Sequence, residues 1–486
     1  MSKLNRNGYI IKKKDFEKKI IKEIKDDLIV KPFNYNDIGM GIEKKFNVFL
    51  ESPNKLYLPR FYGIKKFGEP NENTLTNGDS INIKFKGDLR KEQMPIYNII
   101  KNTLDKDGGA IISLKCGGGK TVLSLYILAQ LKVKTMVVVH KDFLMTQWKD
   151  RIEEFIPNAS IGKIQQNTID IDNKDIVLSM VQSLSMKEYD KDIFKSFGLI
   201  IFDECHHLGA EMFSKCMPKV ASKYMLGLSA TPNRKDGLRK VFEWYIGPMV
   251  YKTEEKNKDY IETRIYEYYN DTLPYRKLEI GYMKKVCLPR MINNISECTD
   301  RLEFINNLVK EEHALGRKVL MLGDRREYLN QVEKWFHANI YEGVAGQYVG
   351  GMKPSELRDS QEKDIILGTF SMASEGMDIP KLNTIVLASP RSDVVQSVGR
   401  ILREKADVRK FHPLVIDIKD THPNMEVFQR QCNKRIAYYK KSNHDIHLYK
   451  IDGTKEKIIK GRRGRNRKYA NELDISAIQD CLISDD

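Results

Sequence analysis

Leu114 to Ser124 reads LKCGGGKTVLS, three glycines followed by a lysine and a threonine. Glycine enters left-handed backbone freely and recurs in many loops, so the flanks decide what this one does. Upstream, Gly109 to Leu114 is a short apolar run suited to a buried parallel strand. Downstream, Val122 to Leu131 sets leucines and an alanine at helical spacing. In such a strand, loop and helix, the backbone N–H groups of Cys116, Gly117, Gly118, Gly119, Lys120 and Thr121 line a concave anion site at the positive end of the helix. Lys120 then reaches the β- and γ-phosphates of a nucleotide, and the Thr121 hydroxyl ligates a magnesium ion. Leu114 stands where the usual spacing has its first glycine, and a plain strand-to-helix turn stays open on this string alone.

Three further strings carry chemistry. FDECHH, residues 202 to 207, ends another apolar run with two adjacent carboxylates, placed where open α/β sheets bind ligands. Asp203 suits magnesium and Glu204 suits polarising the water that attacks a γ-phosphate. The pair would equally suit a helix start. Cys205, His206 and His207 make a poor tetrahedral set for zinc; His207 fits better as a link between this site and the next string. That next string is SATP, where Ser229 and Thr231 are short hydroxyl donors able to bridge loops, or part of a turn closed by Pro232. Finally, QSVGRILR (396 to 403) spaces Arg400 and Arg403 to share one helical face, with Gln396 a turn earlier. Two planar, always-charged donors suit the charge on a transferring phosphoryl group; an ordinary surface helix is the alternative.

The elements that must position these residues follow a βα rhythm. Apolar runs at 135–140, 175–179, 198–202 and 224–229 alternate with helical stripes such as Phe143, Leu144, Trp148, Ile152 and Phe155, the pattern of a parallel sheet wrapped by helices. The rhythm restarts at 317–322, 364–369, 382–388 and 414–418 without a second glycine-lysine loop, so the later half cannot hold a triphosphate unaided. The chain has 486 residues, enough for two or three domains, with 41% hydrophobic and 30% charged residues. Lys and Arg number 82 against 66 Asp and Glu, a net charge of +16 that fits a polyanionic partner or a solvated lysine-rich surface. No run approaches the roughly 18 apolar residues of a membrane span, and the N-terminus lacks a signal-peptide core. Seven dispersed cysteines without a C-x-x-C pair disfavour a disulfide framework and fit a reducing compartment.

In order along the chain these strings resemble the motifs of superfamily-2 helicases. LRKEQ (89–93) resembles the adenine-reading motif, CGGGKT motif I, HKDFLMTQW motif Ia, DECHH motif II, SATP motif III, TFSMASEGMDIP (369–380) motif V and QSVGRILR motif VI. Within the superfamily, DECHH and the SATPNRKDG stretch resemble the XPB-type DNA translocases. The string after motif VI and LYLPRFYGIKKFG (56–68) are similar to helicases of large cytoplasmic DNA viruses, among them the poxvirus transcript-release type. RKD (234–236) replaces the XPB-type Arg-Glu-Asp element, and Cys205 and His206 depart from the Ala-Asp of DEAD-box RNA helicases.

The resemblance implies an α/β fold of two tandem RecA-like domains, parallel sheets flanked by helices, with a small N-terminal accessory domain. The expected boundaries are 1–80 for the accessory domain, 81–255 for the ATP-binding domain, 256–295 for a linker, 296–445 for the C-terminal helicase domain and 446–486 for a basic tail. It implies ATP and Mg²⁺ at the seam, with Arg90 and Gln93 at the adenine and Gln396 near the attacking water. Glu375, Gly376 and Asp378 would link the nucleic-acid track to ATP. The implied activity is an ATP hydrolase moving on DNA in viral transcription in the host cytoplasm, with RNA or a DNA–RNA hybrid as other substrates and a viral RNA polymerase as partner. An RNA helicase, a nucleic-acid scaffold with a vestigial ATPase, and the motor of a restriction-type nuclease are the competing classes; no nuclease motif is present for the last. KGRRGRNRKY (460–469) suits a phosphate-binding tail, an import signal or a solvated terminus.

Overall fold

The computed structural model describes residues 2–31, 45–114, 117–205, 210–229, 238–253, 260–281, 286–375, 377, 379, 381–404, 408–450 and 457–459. Two eight-stranded sheets form its frame. The first runs, edge to edge, Thr168–Asp170, Ile161–Gln165, Ile176–Met180, Thr135–Val139, Leu199–Phe202, Tyr224–Ser229, Gly109–Ser113 and Met249–Lys252. The second runs Ala345–Tyr348, Ile365–Thr369, Val319–Gly323, Thr384–Leu387, Leu414–Asp420, Glu262–Tyr268, Asp445–Lys450 and Lys457–Ile459. All pairings are parallel except one edge strand in each, Thr168–Asp170 and Lys457–Ile459. Numbering the parallel strands of each sheet in chain order gives 3-4-2-5-6-1-7 for both. The two halves are therefore one winding used twice.

The central strands, such as Thr135–Val139, Leu199–Phe202 and Val319–Gly323, read as nearly unbroken apolar runs because helices cover both faces of a parallel sheet. Side chains alternate across the pleat. In the first sheet Ile111, Met136, Val138, Ile200 and Phe202 enter one core, while Ala110, Ile112, Val137, Val139, Leu199 and Ile201 enter the other. Val319 and Met321 against Leu320 and Leu322 repeat the pattern in the second.

Two expected boundaries differ from the structure. The stretch 256–295, expected as a linker, contains Glu262–Tyr268, which pairs in parallel with both Leu414–Asp420 and Asp445–Lys450 inside the second sheet. Its sequence, ETRIYEY, intersperses charges with apolar residues and so lacks a plain apolar run. The second sheet also continues past 445 through Asp445–Lys450 and Lys457–Ile459; the basic string 460–469 lies outside the described residues.

Residues before 81 are not a separate body. Their five-stranded sheet contributes Leu4, Tyr9, Ile11, Leu56 and Leu58 to the core that also holds Ile111, Phe202, Phe213 and Tyr245. Tyr245 donates its hydroxyl to Val48 O at 2.7 Å, and Arg60 donates to Lys223 O at 2.9 Å and Asp107 O at 2.7 Å. Every one of these bonds crosses from the N-terminal layer to the first lobe. Among the described residues no helix is long and apolar enough to cross a membrane.

Candidate functional site

Because all the central strands of the first sheet run the same way, the glycine loop, the Asp203–Glu204 pair and Ser229 emerge at one edge, the carboxyl end where such sheets bind ligands. The strand ending in Ser229 lies between the other two, and Ser229 pairs across the sheet with Ser113 just before the loop.

The loop ends with Gly119 capping the helix Lys120–Leu131, and no side chain caps that N-terminus. Gly117 and Gly119 have φ of +75° and +74°, a region open to glycine and strained for other residues. At Gly119 a Cβ would also lie 2.4 Å from Gln93 Nε2. Gln93 is buried behind the loop: its Nε2 donates to Gly118 O and Gly119 O, each at 3.3 Å, and its Oε1 accepts from Arg90 N at 3.1 Å. The side chain expected at the adenine thus braces the phosphate loop, while Arg90 is exposed.

Lys120 Nζ sits 2.7 Å from Glu204 Oε1, both side chains largely buried. Glu204 has φ +43°, a left-handed conformation that costs about 1–3 kcal/mol for a non-glycine residue and clusters at functional sites. Its backbone N–H donates to Asp203 Oδ1 at 2.9 Å. Asp203 is buried, and its Oδ2 accepts the Trp148 indole N–H at 2.8 Å. Burial first, then the neighbouring Glu204, pushes its carboxyl up to about 6, with Lys120 opposing. Sequence reasoning placed Trp148 on a helical stripe and at the end of the HKDFLMTQW string, not at the acidic pair; the signal available was that a buried indole N–H needs an acceptor.

In the second lobe the expected continuous helix is short. Val395–Val398 is α-helical and Gly399–Leu402 a tighter 3₁₀ turn, with Arg403 just after it. Arg400 is buried, donating from Nε to Ala373 O at 2.6 Å and from Nη1 to Met377 O at 2.9 Å. It is seated on the 369–380 string. Arg403 and Gln396 are half-buried. Phe143, from the HKDFLMTQW helix, packs against the core of the first lobe and against that of the second. Cys116, His207, Thr231, Gly376 and Asp378, and the side chain of Glu375, lie outside the described residues.

Residues 86–234 match the family described as the type III restriction enzyme, res subunit. A relative from Acanthamoeba polyphaga mimivirus, named as an ATP-dependent RNA helicase, is 36% identical over 459 residues, covering 93% of this chain and 87% of its own. Another, from Invertebrate iridescent virus 6 and named as a helicase, is 26% identical and covers 76% of this chain and 85% of its own. The chain also shares its fold with a solved fragment of a type I restriction enzyme HsdR subunit from Vibrio vulnificus, at a TM-score of 0.52 and 19% identity, over 77% of this chain and 71% of that one. With the glycine loop, the acidic pair and a twice-used winding in place, the chain belongs to the superfamily-2 helicases, ATP-hydrolysing enzymes, alongside the viral members of that family.

Proposed function

We propose that this chain is an ATP-driven translocase that moves along DNA in viral transcription, releasing transcripts from the polymerase in the cytoplasmic factory of the host. The observation that carries the motor reading is the Lys120–Glu204 pair beside buried Asp203, next to an uncapped helix N-terminus. The loop amides take the triphosphate. A γ-phosphate competes with Glu204 for Lys120, and Glu204, once released, accepts the proton of the attacking water. Thr121 and Asp203 are hard oxygen donors at the same edge of the sheet, the ligand type magnesium takes, so they fit that ion. The ion supplies charge neutralisation on the phosphate oxygens.

Arg400, Arg403 and Gln396 approach on closure of the lobes, Arg400 carrying the 369–380 string with it because it already holds Ala373 O and Met377 O. Glu375, Gly376 and Asp378 in that string, with His207, Ser229 and Thr231 on the other side, relay the state of the nucleotide to the track. Supporting DNA are the XPB-type motif resemblance and the restriction-enzyme family matched by residues 86–234. The name of the mimivirus relative favours RNA as a second reading.

ATP turnover measured with single-stranded DNA, duplex DNA and RNA separates these. Stimulation by DNA is expected, with Lys120→Ala losing nucleotide binding and Glu204→Gln binding ATP but turning over about a thousandfold more slowly. Stimulation by RNA alone transfers the assignment to the second reading. Wild-type turnover matched by both variants overturns the motor.

A further inference from the structure

Strand Leu414–Asp420 carries two buried carboxylates, Asp417 and Asp420, on opposite faces of the second sheet. Each is gripped by a buried guanidinium from a different helix. Arg435, in Glu426–Lys441, donates from Nε and Nη2 to Asp417 at 2.8 and 2.7 Å. Arg301, in Thr299–Ala314, donates from Nε and Nη2 to Asp420 at 2.8 and 3.1 Å. The Nη1 of each reaches past its aspartate to one short segment of backbone: Arg301 to Ala388 O at 2.8 Å, Arg435 to Arg391 O. Ser389 Oγ, between those points, accepts from Asp324 N at 3.0 Å. This segment leaves strand Thr384–Leu387 and leads directly into the helix that bears Gln396, with Arg400 and Arg403 next.

Buried ion pairs are weak sources of stability, since desolvating two charges offsets most of their attraction, and apolar residues of equal volume often serve as well. A planar five-donor fork does what an apolar side chain cannot: it ties a carboxylate and a carbonyl in fixed relative positions. We propose that Arg301 and Arg435 are positioning residues for ATP hydrolysis, clamping segment 388–391 from both faces of the sheet so that Gln396, Arg400 and Arg403 meet the phosphates as one rigid block. The inference rests on the assignment of those three residues to the phosphoryl group.

The test is the triple variant Arg435→Met/Asp417→Leu/Tyr439→Phe, which removes the pair and the Tyr439 hydroxyl that also bonds Asp417. It is expected to melt no lower than wild type and to keep its KM for ATP within about threefold while kcat falls about a hundredfold, the scale of a 1 Å misplacement. A folded triple variant whose kcat stays within about threefold of wild type overturns the proposal. Should the triple variant not fold, Arg435→Lys keeps the charge at Asp417 but lacks the fork, and the same kcat loss is expected; unchanged kcat overturns it. Amide hydrogen exchange of 389–398 in full-length Arg435→Lys is expected to quicken about tenfold even if Lys120→Ala proves as active as wild type, an outcome that would discredit the functional assignment and not the clamp. Unchanged exchange there removes the clamp.

Discussion

The carboxyl of Asp203 has one oxygen under the Trp148 indole and the other on the Glu204 amide, so both its orientation and its charge are set by neighbours. Partners of this kind around a metal-binding carboxylate typically change metal affinity 10–100-fold when removed. Trp148→Phe keeps the aromatic packing and deletes the donor. The Mg²⁺ concentration needed for half-maximal ATP turnover is then expected to rise by about tenfold or more, with the fold intact by circular dichroism. Glu204 lies in the same group, its positive φ the price of pointing its side chain at Lys120. No reading of residue types could have supplied that dihedral angle.

At the scale of elements, the strand Asp445–Lys450 is preceded by His444, whose ring stacks on Tyr439 at 5.1 Å and whose Nδ1 meets Thr263 Oγ1 at 2.8 Å. Its Nε2 is buried without a hydrogen-bond partner, and burial lowers the ring to about 4 from the usual 6.5. The folded-state value lies below the unfolded one, so neutral His444 contributes stability above 6.5 that is lost as pH falls towards 4. The loss at pH 5 is about 2 kcal/mol. Urea unfolding of the second lobe at pH 7 and pH 5 should show that difference in the wild type and much less of it in His444→Gln. The central parallel strands and the helices beside them were legible in the sequence because each is a plain apolar run or a single stripe, as in Thr135–Val139 or Arg326–Asn339, whereas Ile161–Gln165, Met249–Lys252, Ala345–Tyr348 and Asp445–Lys450, short or mixed with polar residues, were not anticipated. Glu262–Tyr268 was not, because half its side chains are polar and its place depends on strands about 150 and 180 residues away. The phosphate loop and acidic pair were legible from spacing. The Gln93 brace and the Trp148 bond were not, since each joins residues that only the sheet brings together.

For the whole molecule, the N-terminal layer completes the core on one face of the first sheet. Removing residues 1–80 would strip the cover from Trp244 and Tyr245 and open the core that Tyr245 shares with Ile111, Phe213 and Phe242, where a fully buried large apolar side chain is worth about 1.5–3 kcal/mol. A chain beginning at residue 81 is expected to aggregate or bind hydrophobic dyes, whereas a dispensable appendage would leave it soluble and monomeric by light scattering. The seam between lobes is marked by Phe143, whose ring touches both cores. The sequence placed the lobes in order but not this contact, which belongs to neither core alone.

The shared 3-4-2-5-6-1-7 order has a further meaning, because equivalent strands in the two sheets deliver equivalent turns. After Gly109–Ser113 comes the cradle with Lys120; after its counterpart Glu262–Tyr268 comes Tyr269-Asn270-Asp271, whose carboxylate would repel a polyphosphate. Of two lobes with one winding, only the earlier thus carries a glycine-lysine cradle for the fuel. Calorimetric titration should find a single nucleotide per polypeptide.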